Sequence, residues 1–220
     1  MILYTAELDL PTADLDAFAA WYAGRHAADL YRAGFQVCTS YRAVEGGMNV
    51  LNLYQLPSWE IFESPLYRAI GPRDAYGKTV TAGARDKANT PYSLQLTLAT
   101  PANGESGIDA DWISVFRCAA APDIERAITE SLTGGEAERL FAVGAKRVHC
   151  AHRERPHPQA ASHRPRSVIV VEWRERPPNA EAFAPGTTKR FRDQLTEIST
   201  FIGYRVYPWP DRGAAVTTAA

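Results

Sequence analysis

The stretch FAAWYAGRHAADLYRAGFQVCTSYR, residues 18–42, holds most of the first predicted helix and the start of the strand that follows it. Apolar and aromatic residues recur there at intervals of three and four, the pattern of a helix with one buried face. That face comprises Leu15, Phe18, Ala19, Tyr22, His26 and Leu30. Gly34 is expected to end the helix, because glycine most easily takes the left-handed conformation found just after a helix. The stretch therefore predicts a helix followed by a strand, with an imidazole on the buried face of the helix.

The segments on either side complete a β-α-β-β-α-β order. Residues 1–10 alternate as a strand that ends at Pro11. Two strands, 35–44 and 49–56, are joined by a hairpin at Glu45-Gly46-Gly47. A helical segment, 58–76, is interrupted by two prolines, and a strand at 92–100 closes the unit. This order is the ferredoxin-like arrangement.

The second half of the chain repeats this order. Strands are predicted at 111–119, 145–153, 167–174 and 201–207, with helices at 122–132, 136–143 and 180–198. Residues 31–34 align with residues 141–144, although any two ferredoxin-like units would share such an order. Residues 1–101 are expected to form the first repeat, 108–210 a second, degenerate repeat, and 211–220 a flexible tail. The predicted fold class is α+β, with two ferredoxin-like βαββαβ repeats forming an intrachain pseudo-dimeric α/β barrel.

Composition narrows the class of protein. With 45% hydrophobic and 22% charged residues, the chain has the composition of an ordinary globular protein. Its net charge is −1, and it has no row of basic residues of the kind that binds nucleic acid. No apolar run is long enough for a transmembrane helix, and the first ten residues lack the basic flank of a signal peptide. The three cysteines, Cys38, Cys118 and Cys150, are widely spaced and predict reduced thiols rather than a disulfide framework. We therefore expect a cytoplasmic protein with no nucleic-acid or membrane partner.

The first repeat resembles the dimeric α/β-barrel superfamily, and within it the EthD-like proteins. The resemblance rests on Trp21-Tyr22-x-x-x-His26, Gly34-Phe35, Tyr41-Arg42, Leu53-Tyr54 and Ser64-Pro65-x-Tyr67. It implies a fold found in cofactor-free cyclases, isomerases and lyases, metal-free monooxygenases, haem enzymes, and proteins without known activity. In several members the matching histidine lies at a pocket between helix and sheet, which is the role carried over to His26. Most relatives are homodimers of one repeat, and a homodimer of this longer chain is compatible with the resemblance.

The second repeat departs from that pattern. Gly134-Gly135-Glu136 stands where His26 would recur, and Ser131 or Leu132 stands in place of Trp21 or Tyr22. We therefore expect one reactive pocket per chain, in the first half.

His26 is the candidate catalytic residue, since a histidine can exchange a proton near neutral pH. The sequence identifies no partner that would hold its tautomer, and a packed histidine bonded to a strand carbonyl is the structural alternative. Trp21 and Tyr22 are expected to shape the pocket. The remaining substrate-binding candidates are Tyr41, Asn52, Tyr54, Tyr67 and Glu172. Strand alternation places Leu51 and Leu53 on the face that suits helix packing, with Asn52 and Tyr54 opposite.

Two other groups of polar residues leave alternatives open. Glu7 and Arg117 occupy matching places in the two first strands, where they would form a buried pair, bind substrate or face outward; the outward position is favoured for each singly. His149, Cys150, His152, His157 and His163 invite a metal site. However, on a strand His149 points away from Cys150 and His152, and His157 lies in a loop between two prolines, so no metal site is predicted.

The function expected from these features is a small cofactor-independent enzyme of lyase, isomerase or cyclase type. It would act by proton transfer on a small hydrophobic or aromatic, oxygenated molecule, with His26 as base. One alternative is a non-catalytic ligand-binding or assembly protein of the same fold. The other is a haem-dependent enzyme with His26 as axial ligand.

Overall fold

A computed structural model describes residues 1–104, 107–160, 162–177 and 190–208. The first unit contains β1 (Ile2–Asp9), α1 (Leu15–Trp21), α2 (Ala27–Arg32), β2 (Val37–Glu45), β3 (Val50–Leu56), α3 (Glu60–Glu63), α4 (Pro65–Arg73), α5 (Ala75–Val80) and β4 (Asp86–Ala99). The predicted order is confirmed, but β4 begins six residues earlier than expected. Ser64 accepts a hydrogen bond from the backbone N–H of Tyr67 at 3.2 Å, so Pro65 starts a helix after a break. The next break falls at Asp74 rather than at Pro72.

The second unit contains β5 (Trp112–Ala119), α6 (Pro122–Ser131), α7 (Ala137–Ala142), β6 (Ala145–His152), β7 (Ser167–Trp173) and β8 (Thr196–Tyr207). Most of the helix predicted at 180–198 lies outside the described residues, as does the predicted tail at 211–220. The end of that prediction was wrong, because residues 196–198 belong to β8 and Arg192–Gln194 form a 3₁₀ turn.

Eight antiparallel strands close into a barrel in the order β1-β3-β2-β8-β5-β7-β6-β4. Around the barrel, the strand that comes fourth in each unit's sequence lies beside the first, which lies beside the third, which lies beside the second. The units join where β2 pairs with β8 and β4 pairs with β6. Closure leaves neither unit with a free strand edge, which removes the usual site of edge-to-edge association. A second chain is therefore not needed to complete the sheet.

The strands are buried on both faces and separate three apolar clusters. One lies between the first unit's sheet and helices, and includes Tyr4, Phe18 and Tyr54. A second lies under α6 and α7. The third draws residues from both units and fills the barrel, among them Leu51 and Leu53. The predicted orientation of β3 was therefore wrong: the leucines point into the barrel, and Asn52 and Tyr54 point toward the helices. Alternation shows which residues share a face of the strand. Because both faces of β3 are buried, it does not show which face points into the barrel.

A charged cluster lies inside the same barrel. Glu7 and Arg117 are both buried and form an ion pair, with Glu7 Oε1 and Arg117 Nη2 3.0 Å apart. Arg164 adds two hydrogen bonds to the Glu7 carboxylate, at 3.1 and 2.9 Å. The outward position favoured from sequence was wrong, and the buried pair is the arrangement found.

The first helix of each unit is interrupted at the same place. Tyr22–His26 is a π-helical turn that joins α1 to α2, whereas Leu132–Glu136 joins α6 to α7 through a kink with non-helical backbone at Gly134 and Gly135. Each helix ends at a glycine with positive φ, 104° at Gly34 and 106° at Gly144. These matches support the alignment of residues 31–34 with 141–144, and they place Glu136 at the position of His26. A π-helical turn such as Tyr22–His26 often occurs at a functional site in a helix.

Candidate functional site

A cavity of about 240 Å³ lies between the first unit's sheet and its helices. We call it the His26 cavity. Four of the residues predicted for the site line it, namely Trp21, His26, Asn52 and Tyr67. The sequence did not identify Tyr4, Lys87, Asn89 and Gln159, which also line it. An engineered apolar cavity of about 150 Å³ holds benzene, so this one has room for a substituted single ring or a compact two-ring molecule. It is smaller than the roughly 300 Å³ at which sites for drug-sized ligands begin.

His26 is held in the cavity wall by stacking. Its ring lies 4.4 Å from the Trp21 ring at an interplanar angle of 26°, and 5.7 Å from the Tyr22 ring. Burial lowers the pKa of His26 to about 4, although the charges of Asp74 and Asp29 act to raise it. The imidazole is therefore neutral near pH 7. Within the described part of the chain, its buried Nδ1 has no hydrogen-bond partner, so the strand-carbonyl bond of the structural alternative is not formed at this nitrogen.

Trp21 is fixed in turn by Asp74, a residue that the sequence did not single out. The buried Asp74 carboxylate accepts hydrogen bonds from the Trp21 indole at 2.9 Å and from the Gly77 backbone N–H at 2.8 Å. A Cβ at residue 77 would lie 2.6 Å from Trp21 Cζ2, so the close approach of α5 requires glycine. Asp74 thus caps α5 and fixes the surface on which His26 stacks.

The sheet beneath His26 carries two more polar atoms without partners. Asn52 Oδ1 and Ser40 Oγ are buried and make no hydrogen bond to any described residue. Ser40 and Asn52 are direct neighbours across β2 and β3, on the face toward the helices. Buried polar atoms in folded proteins are nearly always paired with protein or water. Of the two residues, Asn52 lines the His26 cavity, so its oxygen and His26 Nδ1 are suited to bind a polar molecule there.

The other predicted site residues lie away from the cavity. Tyr22 and Tyr54 are buried behind it: the Tyr22 hydroxyl lies 3.4 Å from the Thr39 carbonyl, and the Tyr54 ring stacks on Tyr4 at 5.1 Å. Tyr41 is inside the barrel and donates a hydrogen bond to the Ala110 carbonyl at 3.1 Å. The structure therefore does not bring Tyr41 together with His26.

Glu172 is also remote, because it belongs to a polar network inside the barrel. It bonds to His149 Nε2 at 2.8 Å, to the Ala110 backbone N–H at 2.9 Å and to Arg147 at 3.2 Å. Burial acts to raise the pKa of Glu172, but these hydrogen bonds and the Arg147 charge lower it overall. Since its oxygens are occupied by partners from the chain, Glu172 acts in packing the barrel.

The predicted separation of the metal-type residues is confirmed. His149 faces the barrel interior, where it bonds to Glu172, whereas Cys150 packs under the second unit's helices. All three cysteines are buried and unpaired. No helix among the described residues is both long and apolar enough to cross a membrane.

The residues of the His26 cavity do not fit haem. A haem is at least as large as a drug-sized ligand and would need a wide slot in front of the imidazole, whereas this cavity holds about 240 Å³.

Comparison with solved structures identifies the same architecture elsewhere. An anthrone oxidase-like protein aligns at a TM-score of 0.60 with 12% identity, over 97% of this chain and 96% of its own. A “putative monooxygenase” from Lactobacillus acidophilus NCFM aligns at 0.58 with 9% identity over 93% of both chains. A mutant chlorite dismutase from Candidatus Nitrospira defluvii aligns at 0.56 with 7% identity, over 93% of this chain and 90% of its own.

The similarity to these solved structures is a similarity of fold. The sequence matches no protein-family model and no curated protein. The alignments run over nearly the whole chain, so both units and the barrel between them are matched. The chain has the dimeric α/β-barrel fold, with both ferredoxin-like units in one polypeptide.

Proposed function

We propose that this protein is a small-molecule enzyme that moves a proton on a small, hydrophobic, oxygenated molecule without a cofactor, with His26 as the base. The observation that carries the proposal is the pair of buried atoms at the His26 cavity, His26 Nδ1 and Asn52 Oδ1, that have no hydrogen-bond partner among the described residues. A ligand with a polar hydrogen would supply the missing partner, while its ring would lie against the aromatic wall. Several structural neighbours carry the names of enzymes, which supports a small-molecule enzyme in general without indicating proton transfer.

The lowered pKa of His26 sets a condition on the reaction. A neutral imidazole has a free lone pair at pH 7, but with a pKa of about 4 it is a weak base. It would remove a proton only from a ligand whose resulting anion is strongly stabilised in the cavity. Nearby Asp74 and Asp29 favour the imidazolium that forms. The ligand class that fits is a single-ring or compact two-ring ketone or phenol, whose oxygen carries the charge after deprotonation.

Proton exchange with solvent tests this function without knowledge of the natural substrate. We would incubate 2-indanone in D₂O and follow loss of the C–H signals beside its carbonyl by NMR. The wild type should accelerate the exchange, and His26→Gln should lose at least about 100-fold of that acceleration, the usual contribution of a positioned general base. His163→Gln is the matched control, because His163 is exposed and lies 3.4 Å from Asp86, away from the cavity.

Two outcomes would contradict the enzyme proposal. Equal exchange rates in wild type and His26→Gln would exclude His26 as the base. Phenol that raises the melting temperature of the wild type, together with no accelerated exchange, would favour the second candidate, a non-catalytic ligand-binding protein. The weak basicity of His26 is the observation that keeps this second candidate open.

A further inference from the structure

A loop of the second unit enters the site of the first. It connects β6 to β7, and it carries His157 between Pro156 and Pro158. The buried His157 ring stacks on Tyr4, with centroids 5.3 Å apart and planes at 25°, and meets Phe62 edge-on at 4.9 Å. Gln159, two residues later, lines the His26 cavity. The cavity is therefore completed by both halves of the chain.

The hydrogen bonds of His157 define which of its nitrogens carries a hydrogen. The backbone N–H of Gln159 donates to His157 Nδ1 at 3.1 Å, so Nδ1 is an acceptor. Burial lowers the pKa of His157 to about 4, which leaves the ring neutral at pH 7. A neutral imidazole has one N–H, and here it must be at Nε2. Nε2 lies 3.0 Å from the Tyr67 hydroxyl oxygen and so donates to it.

This arrangement leaves the Tyr67 hydroxyl hydrogen to be donated either to the oxygen of the neighbouring Tyr4 hydroxyl, with which Tyr67 interacts, or to a ligand oxygen that replaces it. The neighbouring Tyr4 hydroxyl already donates to Asn89 Oδ1 at 3.0 Å. Both Tyr4 and Tyr67 line the His26 cavity. Burial raises the pKa of Tyr67 to about 12, so the phenol keeps its hydrogen at pH 7. A donor fixed in this way is the kind of group that a weak base such as His26 requires across the cavity.

We propose that His157 of the second unit is a positioning residue, which orients Tyr67 so that its hydroxyl donates to a ketone or phenol oxygen of the ligand. This inference rests on the proposed function and names the group that stabilises the anion. A proton leaves the ligand for His26, the electron pair of the broken bond stays on the ligand as an enolate or phenolate, and the Tyr67 O–H donates a hydrogen bond to that oxygen. The hydrogen on Tyr67 is shared and not transferred.

The tautomer of His157 gives a test that needs no ligand. Long-range ¹H–¹⁵N NMR correlations distinguish a protonated from an unprotonated ring nitrogen. At pH 7 we expect His157 to be protonated at Nε2 and bare at Nδ1. A hydrogen on Nδ1 would overturn the inference, because Nε2 would then accept the Tyr67 hydrogen and leave none for a ligand.

A pair of probes tests the effect on binding. Phenol and toluene share a ring and differ in the hydroxyl group. His157→Phe keeps the stacking on Tyr4 but removes both nitrogens, so phenol should bind about 5- to 10-fold more weakly and toluene unchanged. His157→Gln places an amide N–H near the position of Nε2 and should restore part of the phenol affinity. His163→Gln should bind both probes as the wild type does.

The outcomes separate this inference from the proposed function. If His157→Phe weakens the binding of phenol and of toluene equally, or if His157→Gln restores none of the phenol affinity, His157 serves only to pack the loop and the inference fails. If phenol affinity depends on His157 but 2-indanone exchange does not depend on His26, the oxygen-recognition site stands and the enzyme proposal fails.

Discussion

Lowering the pH from 7.5 to 5 should destabilise this protein, and part of that loss should disappear in the His26→Gln variant. The pKa of His26 falls from about 6.5 in the unfolded chain to about 4 in the folded one, because burial disfavours the imidazolium. Between those values the unfolded state binds more protons than the folded state. Stability contributed by the neutral ring is therefore complete above about pH 6.5 and is lost as the pH falls toward 4.

The size of the effect follows from the two pKa values. At pH 5 an unfolded histidine is almost fully protonated, whereas His26 is about one-tenth protonated. The linkage relation then gives a loss of about 2 kcal/mol relative to pH 7.5 for this residue alone. His157 contributes in the same direction, since burial also lowers its pKa to about 4. Carboxylates that titrate in this range do so in wild type and variant alike, so the difference between the two proteins isolates His26.

Urea denaturation at pH 7.5 and pH 5 measures the unfolding free energy of the wild type and of His26→Gln at each pH. The wild type should lose about 2 kcal/mol more of its unfolding free energy than His26→Gln across this interval. His163→Gln, a histidine substitution at an exposed position, is the control measured at the same two pH values. An identical loss in wild type and His26→Gln would show that the His26 ring is charged or well solvated in the folded state. The assignment of a neutral base would then be refuted.

Two further substitutions test the packing that holds the site. Glu7→Gln should cost about 3–5 kcal/mol of unfolding free energy, because it leaves Arg117 buried without a carboxylate. The exposed control Glu60→Gln should cost almost nothing in the same urea titration. A loss below about 1 kcal/mol for Glu7→Gln would contradict the buried pair. Asp74→Ala should cost about 1–3 kcal/mol and weaken phenol binding, since it removes the α5 cap and the Trp21 partner. Unchanged phenol affinity in calorimetry would show that Asp74 does not act through Trp21.

Much of the fold could be predicted because local signals agree with it. The helix stripe ending at Gly34, the Gly46-Gly47 hairpin and the matching order around Gly144 all point to two ferredoxin-like units. The direction of the strand faces could not be predicted. In a barrel covered by helices both faces of a strand are buried. The alternation of Leu53 and Tyr54 therefore shows that they lie on opposite faces, but not which face points into the barrel.

The candidate site was predictable only in part, for a related reason. Trp21 and His26 share one helix, so their proximity follows from spacing. Gln159 lines the same cavity, and Asp74 and His157 bond to residues that line it across 53 residues for Trp21–Asp74 and 90 residues for Tyr67–His157. In the sequence, His157 stands between two prolines in a loop, and nothing in that loop indicates a partner in the first unit.

The asymmetry between the units explains why the site lies where it does. The barrel interior is filled by apolar side chains such as Leu51 and Phe201 and by charged networks, so it offers little room for a ligand. The helix-facing side of the first sheet instead carries aromatic rings together with Asn52, whose Oδ1 has no hydrogen-bond partner in the described part of the chain. The second unit has Glu136 at the position of His26, where the carboxylate bonds to Arg139 at 3.1 Å. Because the second unit lacks the imidazole but supplies the loop that carries His157 and Gln159, its role in the proposed function is to complete the first unit's cavity.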